Sequence, residues 1–175
     1  ADAYKAMHSR KTPVASFYAN ILAFDGYYEK KWFPYTMPIS DIYGLRQAFD
    51  NIKNDPYMLE RHAKIGNAVR AAVKEAGLEL YQETGFSNTV TVFNVPEGTT
   101  DTAILTAMKE KCNIMLAGSF GAFSGKVIRI GHMGENAYPE KVGAVMAGLD
   151  LVFKDLGITL KCSLKEAYDR KMSEQ

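Results

Sequence analysis

The sequence contains few cysteines and histidines, and this scarcity limits the kinds of site that it can form. Its two cysteines, Cys112 and Cys162, lie far apart and lack the close spacing of a metal site. The three histidines are scattered and form no ligand pair. Reduced, isolated thiols are the usual state in the cytoplasm. We therefore expect a cytoplasmic protein with no metal site.

An excess of charge of one sign and a long apolar run are also lacking. The chain has 21 basic and 20 acidic residues, a formal net charge of +1, and no basic stripe. Nucleic acid is therefore not an expected partner. No apolar stretch approaches the roughly 20 residues that a membrane-spanning helix needs, so no membrane partner is expected either. With 175 residues, the chain is long enough to bury one sizeable core.

Aromatic residues are concentrated near the start of the chain. Eight of them lie between Phe17 and Tyr35, and no helical or strand period sorts them onto one face. Such a density predicts that the segment packs against something. We interpret residues 1–35 as the aromatic-rich end of a larger domain, lining a missing domain or a partner subunit. The alternative is a local satellite of this chain's own core. Residues 36–175 would then form a second, smaller domain.

Hydrophobic periodicity predicts an α+β fold with the order α-α-β-β-α-β-β-α. It indicates an antiparallel or mixed sheet of about four strands, with helices on one face. In the first predicted helix, the spacing of Ile42, Leu45 and Phe49 favours a buried face. The predicted helices are 40–52, 55–76, 100–111, 139–156 and a frayed polar tail, 164–173; the predicted strands are 78–81, 89–95, 113–117 and 126–131, followed by a short extended segment, 158–162.

One arginine lies in the middle of an apolar strand, in the segment Lys-Val-Ile-Arg-Ile-Gly-His-Met-Gly at residues 126–134. Because strand side chains alternate, Ile128 and Ile130 should face the core, and Arg129 should emerge on the other face beside Gly131. The missing side chain of Gly131 leaves room for a small group. A guanidinium in that setting can hold a carboxylate or a phosphate with two hydrogen bonds. A solvated arginine on the wet face of a sheet is the alternative.

The same segment resembles the late Arg-Ile-Gly-His-Met-Gly signature of class V, fold-type I pyridoxal-phosphate aminotransferases. It is most similar to the alanine–glyoxylate, serine–glyoxylate and pyridoxamine–pyruvate branch. Residues 9–18 resemble the stretch that follows the family's cofactor lysine, and residues 35–46 resemble its Thr-Pro-Pro-Val-Ser…Tyr-Ala-Leu segment. The three matches occur in the expected order. The resemblance therefore implies the C-terminal small domain of a fold-type I enzyme.

The resemblance also implies roles for particular residues. Arg129 would bind the α-carboxylate of the amino-acid or 2-oxo-acid substrate. Thr36 would bind the phosphate of the pyridoxal phosphate held by the other subunit, so the enzyme would be a homodimer. We interpret His132 as structural, because the proton shift in this family is carried out by the cofactor lysine. No residue of this chain is assigned a catalytic role.

The family's Schiff-base lysine lies upstream of the segment that residues 9–18 resemble, and Lys5 and Lys11 come too late in the pattern to serve. We therefore expect this chain to be inactive alone and not to bind the cofactor covalently. The full-length enzyme would move an amino group between a small amino acid, alanine or serine, and a 2-oxo acid, glyoxylate or pyruvate. The alternative is a stand-alone α+β binding module that recognises an acidic ligand or partner.

Overall fold

The computed structural model of the protein describes residues 1–174, and the chain divides into two compact units, Ala1–Asn54 and Asp55–Gln175. Each unit is described by itself. The sequence prediction set a domain boundary after residue 35, whereas the compact units divide after Asn54. The assignment of residues 1–35 to a larger domain stays a prediction. Among residues 1–174, no helix is long and apolar enough to cross a membrane.

The first unit contains helix α1, Asp2–Ser9, a short 3-10 helix, Ile21–Phe24, and helix α2, Ile39–Lys53. None of these three helices contains a buried residue. The predicted helix at 40–52 is therefore present, but the predicted burial of Ile42, Leu45 and Phe49 is wrong, since all three are exposed. The reason is that no other element of this unit covers the apolar face of α2.

The aromatic residues of the first unit are in part packed against one another. Phe24 makes edge-to-face contacts with Tyr27, Phe33 and Tyr35. The Tyr35 hydroxyl donates a hydrogen bond to the carbonyl oxygen of Phe17. A local cluster of rings therefore exists within this unit, and several rings remain outside it or at its edge. The most exposed rings of this segment are Phe17, Tyr18, Tyr28 and Trp32.

The second unit packs four helices against a small sheet. Its elements are α3, Met58–Glu75; β1, Val90–Asn94; α4, Asp101–Cys112; β2, Val127–Gly131; α5, Pro139–Asp155; and α6, Leu164–Ser173. Phe93 of β1 and Ile128 and Ile130 of β2 join the same core as the buried faces of the helices. The α+β class predicted from the sequence is thus confirmed.

The sheet has two strands where about four were predicted. β1 and β2 pair antiparallel, with Val92 opposite Arg129 and Val90 opposite Gly131. The predicted strands 78–81 and 113–117 each contribute one isolated bridge, Leu80 to Phe93 and Ala117 to Arg129.

A left-handed residue lies at or just before the start of each of these two segments and turns the chain. Gly77 has a φ of +84°, and Asn113 has a φ of +53°. On either side of the Leu80 bridge, the Tyr81 N–H donates to the Val92 carbonyl oxygen and the Asn94 N–H donates to the Glu79 carbonyl oxygen. The extended segment 158–162 forms no strand; there the Lys161 N–H donates to the carbonyl oxygen of Ala76.

Helix boundaries follow from local side-chain chemistry. The Thr100 hydroxyl accepts the Ala103 N–H at the start of α4, and Pro139 occupies the first turn of α5. The predicted tail helix 164–173 is α6, but it is not frayed at its start. Leu164, Ala167 and Tyr168 are buried in the core. In contrast, Leu59 of α3 is exposed because it lies in the first turn, before the buried face begins at His62.

Candidate carboxylate-binding site at Arg129

The alternation predicted for the arginine strand is present in β2. Ile128 and Ile130 are fully buried in the core, and Arg129 between them is half-buried on the other face. Val92 lies beside Arg129 in the sheet on one side, and Ala117 lies beside it on the other. The Arg129 N–H donates to the carbonyl oxygen of Ala117 over 2.7 Å. Backbone pairing on both sides therefore fixes the position from which the side chain extends.

The guanidinium of Arg129 is held at one of its three nitrogens. Its Nε donates a 2.7 Å hydrogen bond to the carbonyl oxygen of Gly118. Within residues 1–174, neither Nη atom has a hydrogen-bond acceptor or an acidic partner. The side chain thus presents two free donors side by side, which is the arrangement that a carboxylate or phosphate takes up as a bidentate ligand.

Arg129 opens into a cleft of about 590 Å³, a size typical of small-molecule sites. A Cβ atom added at Gly131 would meet nothing within 4 Å, so the space expected beside the arginine is present. The cleft is mainly apolar, with one further cation, Lys141, and one amide, Asn136. Its apolar lining includes Val90, Met115, Leu116, Met133, Val142 and Val145.

The turn after β2 forms one wall of this cleft. Two buried histidines, His62 and His132, make hydrogen bonds at the start of this turn. The His132 Nδ1 lies 3.1 Å from the carbonyl oxygen of Asn88, and its Nε2 lies 2.9 Å from the Thr91 hydroxyl. Burial lowers the pKa of His132 to about 4. A neutral ring therefore donates through Nδ1 and accepts through Nε2. This supports the interpretation of His132 as a structural residue that joins the ends of β1 and β2.

The loop before β1 is ordered by Arg70, a buried arginine of α3. Its Nη1 donates to the Ser87 carbonyl over 2.8 Å, and its Nη2 donates to Asn67 Oδ1 over 2.7 Å. The guanidinium lies 5.0 Å from the centre of the Phe86 ring. Burial lowers the pKa of this arginine below its usual value. Arg70 thereby fixes the loop whose Asn88 carbonyl receives His132.

Thr36 lies in the first unit, in the irregular segment before α2, and its side chain is exposed. Among the described residues it has no hydrogen-bond partner. Two residues later, Pro38 leads into α2. The structure therefore leaves the Thr36 hydroxyl available to an outside group. Thr36 and Arg129 belong to different compact units, so their roles are considered separately.

Sequence reasoning did not find several residues of the cleft. Lys141 and Asn136 enter it from the start of α5 and the turn before it, and neither was predicted as a site residue. Gly118 was likewise not predicted, yet its carbonyl oxygen accepts the Nε–H of Arg129. No local pattern reports a contact made by a backbone carbonyl. The spacing of Pro139 and Lys141 was a usable signal for Lys141, since it places the lysine in the first turn of a helix.

Comparisons with known proteins find similar sequences and folds, although no family model matches the chain. An uncharacterized aminotransferase of Methanocaldococcus jannaschii is 37% identical over 149 residues, which are 83% of this chain and 38% of that protein. Serine–glyoxylate aminotransferase of Arabidopsis thaliana is 35% identical over 130 residues, 72% of this chain and 32% of that protein. The chain thus spans less than half the length of these relatives.

A solved structure agrees with the sequence relatives. The crystal structure of pyridoxamine–pyruvate aminotransferase from Mesorhizobium loti superposes with a TM-score of 0.87 at 28% identity, over 99% of this chain and 46% of that one. The resemblance inferred from the Arg129 strand is therefore confirmed. This chain is a homologue of the C-terminal part of the class V, fold-type I aminotransferases.

Proposed function

We propose that the whole protein is a pyridoxal-phosphate-dependent aminotransferase that exchanges an amino group between a small amino acid, alanine or serine, and a 2-oxo acid such as glyoxylate or pyruvate. One observation carries the proposal: the guanidinium of Arg129, fixed through Nε, offers two free donors to a small-molecule cleft beside Gly131. Relatives named as serine–glyoxylate and pyridoxamine–pyruvate aminotransferases support the same substrate class.

The geometry indicates how Arg129 would contribute. Two charge-assisted hydrogen bonds fix both oxygens of a carboxylate, and they therefore fix the direction of the bond to the reacting carbon. The mainly apolar lining of the cleft, including Val90 and Val145, offers few polar partners to the side chain of a substrate. Pyridoxal phosphate, when bound, supplies the electron sink for the exchange. Arg129 acts only by binding and orienting the substrate.

Thr36 fits one contact of that cofactor. Its exposed hydroxyl, which has no partner among the described residues, can donate to a phosphate oxygen. We assign it to the phosphate in the site of the other subunit, so the active enzyme would be a homodimer. Thr36→Val should then weaken cofactor affinity about tenfold, whereas Thr36→Ser should keep it. Equal affinities of the two variants, measured by equilibrium dialysis, would remove Thr36 from the site.

The exposed apolar residues of α2 and the unclustered aromatic rings support the dimer and a contact with the remaining part of the enzyme.

Cys112 and Cys162 are free thiols in the structure. Free thiols are the rule in the cytoplasm, and we place the protein there.

The test of the proposal is Arg129→Lys in the whole enzyme. Lysine keeps the charge but replaces the two-donor fork by a single ammonium, so the KM for carboxylate substrates should rise roughly tenfold or more. Arg170→Lys is the matched control, because Arg170 is an exposed arginine that pairs with Glu75 on the surface. Initial rates with alanine, serine, glyoxylate and pyruvate give the comparison. Equal KM values for the wild type and Arg129→Lys would refute the proposed function.

A further inference from the structure

Two consecutive residues of α3 hold the turn that forms one wall of the Arg129 cleft. The turn runs from Met133 through the 3-10 helix Gly134–Asn136, and Met133 and Asn136 line the cleft. His62 bonds to the start of this turn, since its Nε2 accepts the Gly134 N–H over 3.1 Å. Arg61 bonds to its end, since its Nε donates to the Ala137 carbonyl over 2.8 Å.

The hydrogen bonds of His62 define which ring nitrogen carries the proton. Its Nδ1 lies 2.7 Å from the carbonyl oxygen of Met58, which can only accept, so Nδ1 carries the hydrogen. Nε2 is then a lone-pair acceptor aimed at the Gly134 N–H. The ring is also nearly buried, so water cannot readily replace it as the partner of that amide. His62 therefore makes a directed contact as well as filling space.

The turn needs such an anchor because its own backbone provides few restraints. Gly134 has a φ of +55°, a conformation that glycine adopts freely but does not enforce. The turn's internal bonds, from Asn136 N–H to the Met133 carbonyl and from Ala137 N–H to the Gly134 carbonyl, shape it but do not attach it to the rest of the unit. Three side chains attach it within residues 1–174: His62 at one end, Arg61 at the other, and Lys141, an exposed lysine whose Nζ donates to the Glu135 carbonyl between them. Arg61 is itself fixed by two hydrogen bonds to Asp55.

We propose that His62 is a positioning residue of the carboxylate site, which it serves by accepting the Gly134 N–H and so fixing the wall formed by Met133 and Asn136. The proposal rests on the proposed function, since it concerns the cleft in which Arg129 would bind the substrate. His62 itself does not line the cleft and is given no contact with substrate or cofactor. It acts only through the turn.

Two substitutions separate the directed contact from simple packing. The amide of His62→Gln reaches the position of Nε2 and can still accept the Gly134 N–H. The shorter amide of His62→Asn reaches only the position of Nδ1 and can keep the bond to Met58. If His62 positions the wall, the Asn variant should exchange the Gly134 amide proton about tenfold faster than the wild type in NMR hydrogen exchange. The Gln variant should stay close to the wild type.

Kinetics of the whole enzyme complete the test. His62→Asn should raise the KM for carboxylate substrates about three- to tenfold, the effect of one lost hydrogen bond, and leave kcat unchanged. His62→Gln should restore the wild-type KM. Equal KM increases in the two variants would show a merely structural role and overturn the proposal, as would a wild-type KM in His62→Asn. The Arg129→Lys variant separates the two hypotheses. If Arg129→Lys leaves the KM unchanged, the proposed function is refuted. If Arg129→Lys raises the KM and His62→Asn does not, only the positioning role of His62 is refuted.

Discussion

Arg129 is held by the carbonyl oxygen of Gly118, which accepts its Nε–H over 2.7 Å. Gly118 follows Ala117, and Ala117 is bridged to Arg129 itself. The same segment therefore holds Arg129 twice: Ala117 pairs with its backbone, and the next residue, Gly118, binds its side chain. The guanidinium has few remaining orientations, and no residue of 1–174 occupies either Nη atom, so both can bind a ligand.

A side chain at Gly131 should obstruct that ligand. The added Cβ would meet nothing within 4 Å, and Gly131 has no positive φ, so a larger residue is compatible with the backbone. The side chain would instead occupy the space beside Arg129. We expect Gly131→Val to raise the KM for carboxylate substrates about tenfold, with an unchanged or higher free energy of unfolding, because valine favours strands.

Gly131→Ala should give a smaller increase in KM than Gly131→Val, and this graded series is measured by initial rates and urea unfolding. Arg170→Lys serves again as the control, because Arg170 pairs with Glu75 on the surface and does not line the cleft. An unchanged KM in Gly131→Val would show that the substrate does not approach this face of β2.

The position of Arg129 was predictable from the sequence, whereas its environment was not. Alternation along β2 depends only on the local chain, so the buried faces of Ile128 and Ile130 and the opposite face of Arg129 follow from the pattern. The Gly118 carbonyl, the His62 contact and the approach of Lys141 depend on how distant segments meet. They involve backbone atoms or single polar residues, and these leave no periodic signal.

Burial was predictable only where the partner element lies within the same unit. The apolar stripes of α3 and α5 are buried because the two helices pack against α6 and the sheet. The equally regular stripe of α2 is exposed because nothing in its unit covers it. Periodicity thus identifies an apolar face but not what covers that face.

Stability should fall in acid because of His132. Burial lowers the pKa of this imidazole to about 4 from 6.5, so the folded protein holds it neutral while the unfolded chain binds a proton more readily. The neutral ring's contribution is fully present above about pH 6.5 and is lost as the pH falls toward 4. Linkage gives a loss of about 2 kcal/mol between pH 7.5 and 5.

Urea unfolding of the wild type and His132→Gln at several pH values measures this contribution. The variant should be less stable at neutral pH, and the difference between the two proteins should shrink toward pH 5. A parallel NMR titration should place the midpoint of the folded ring near pH 4, well below that of a free histidine. A difference in stability that is independent of pH would contradict the assignment of His132 as a neutral buried base.

The attachment of α6 to the core should depend on Asp150 of α5. Its carboxylate accepts the Ser163 hydroxyl over 2.6 Å and the N–H groups of Leu164 and Lys165 over 2.7 and 3.0 Å. A negative group at a helix N-terminus is favourable, and the three bonds satisfy donors that the helix leaves unpaired. Asp150→Ala should therefore lower the free energy of unfolding by about 2–3 kcal/mol.

Asp155→Ala is the control for Asp150→Ala, because Asp155 lies on the same helix but only pairs with Lys111 on the surface. That pair should contribute no more than about 1 kcal/mol. Asp150→Asn keeps acceptor capacity and should fall between the two in urea denaturation. Since Leu164, Ala167 and Tyr168 are buried against α3 and α5, the loss in Asp150→Ala should appear as destabilisation of the whole second unit. Local fraying of α6 with an unchanged transition for the remaining core would show that α6 is not an integral part of it.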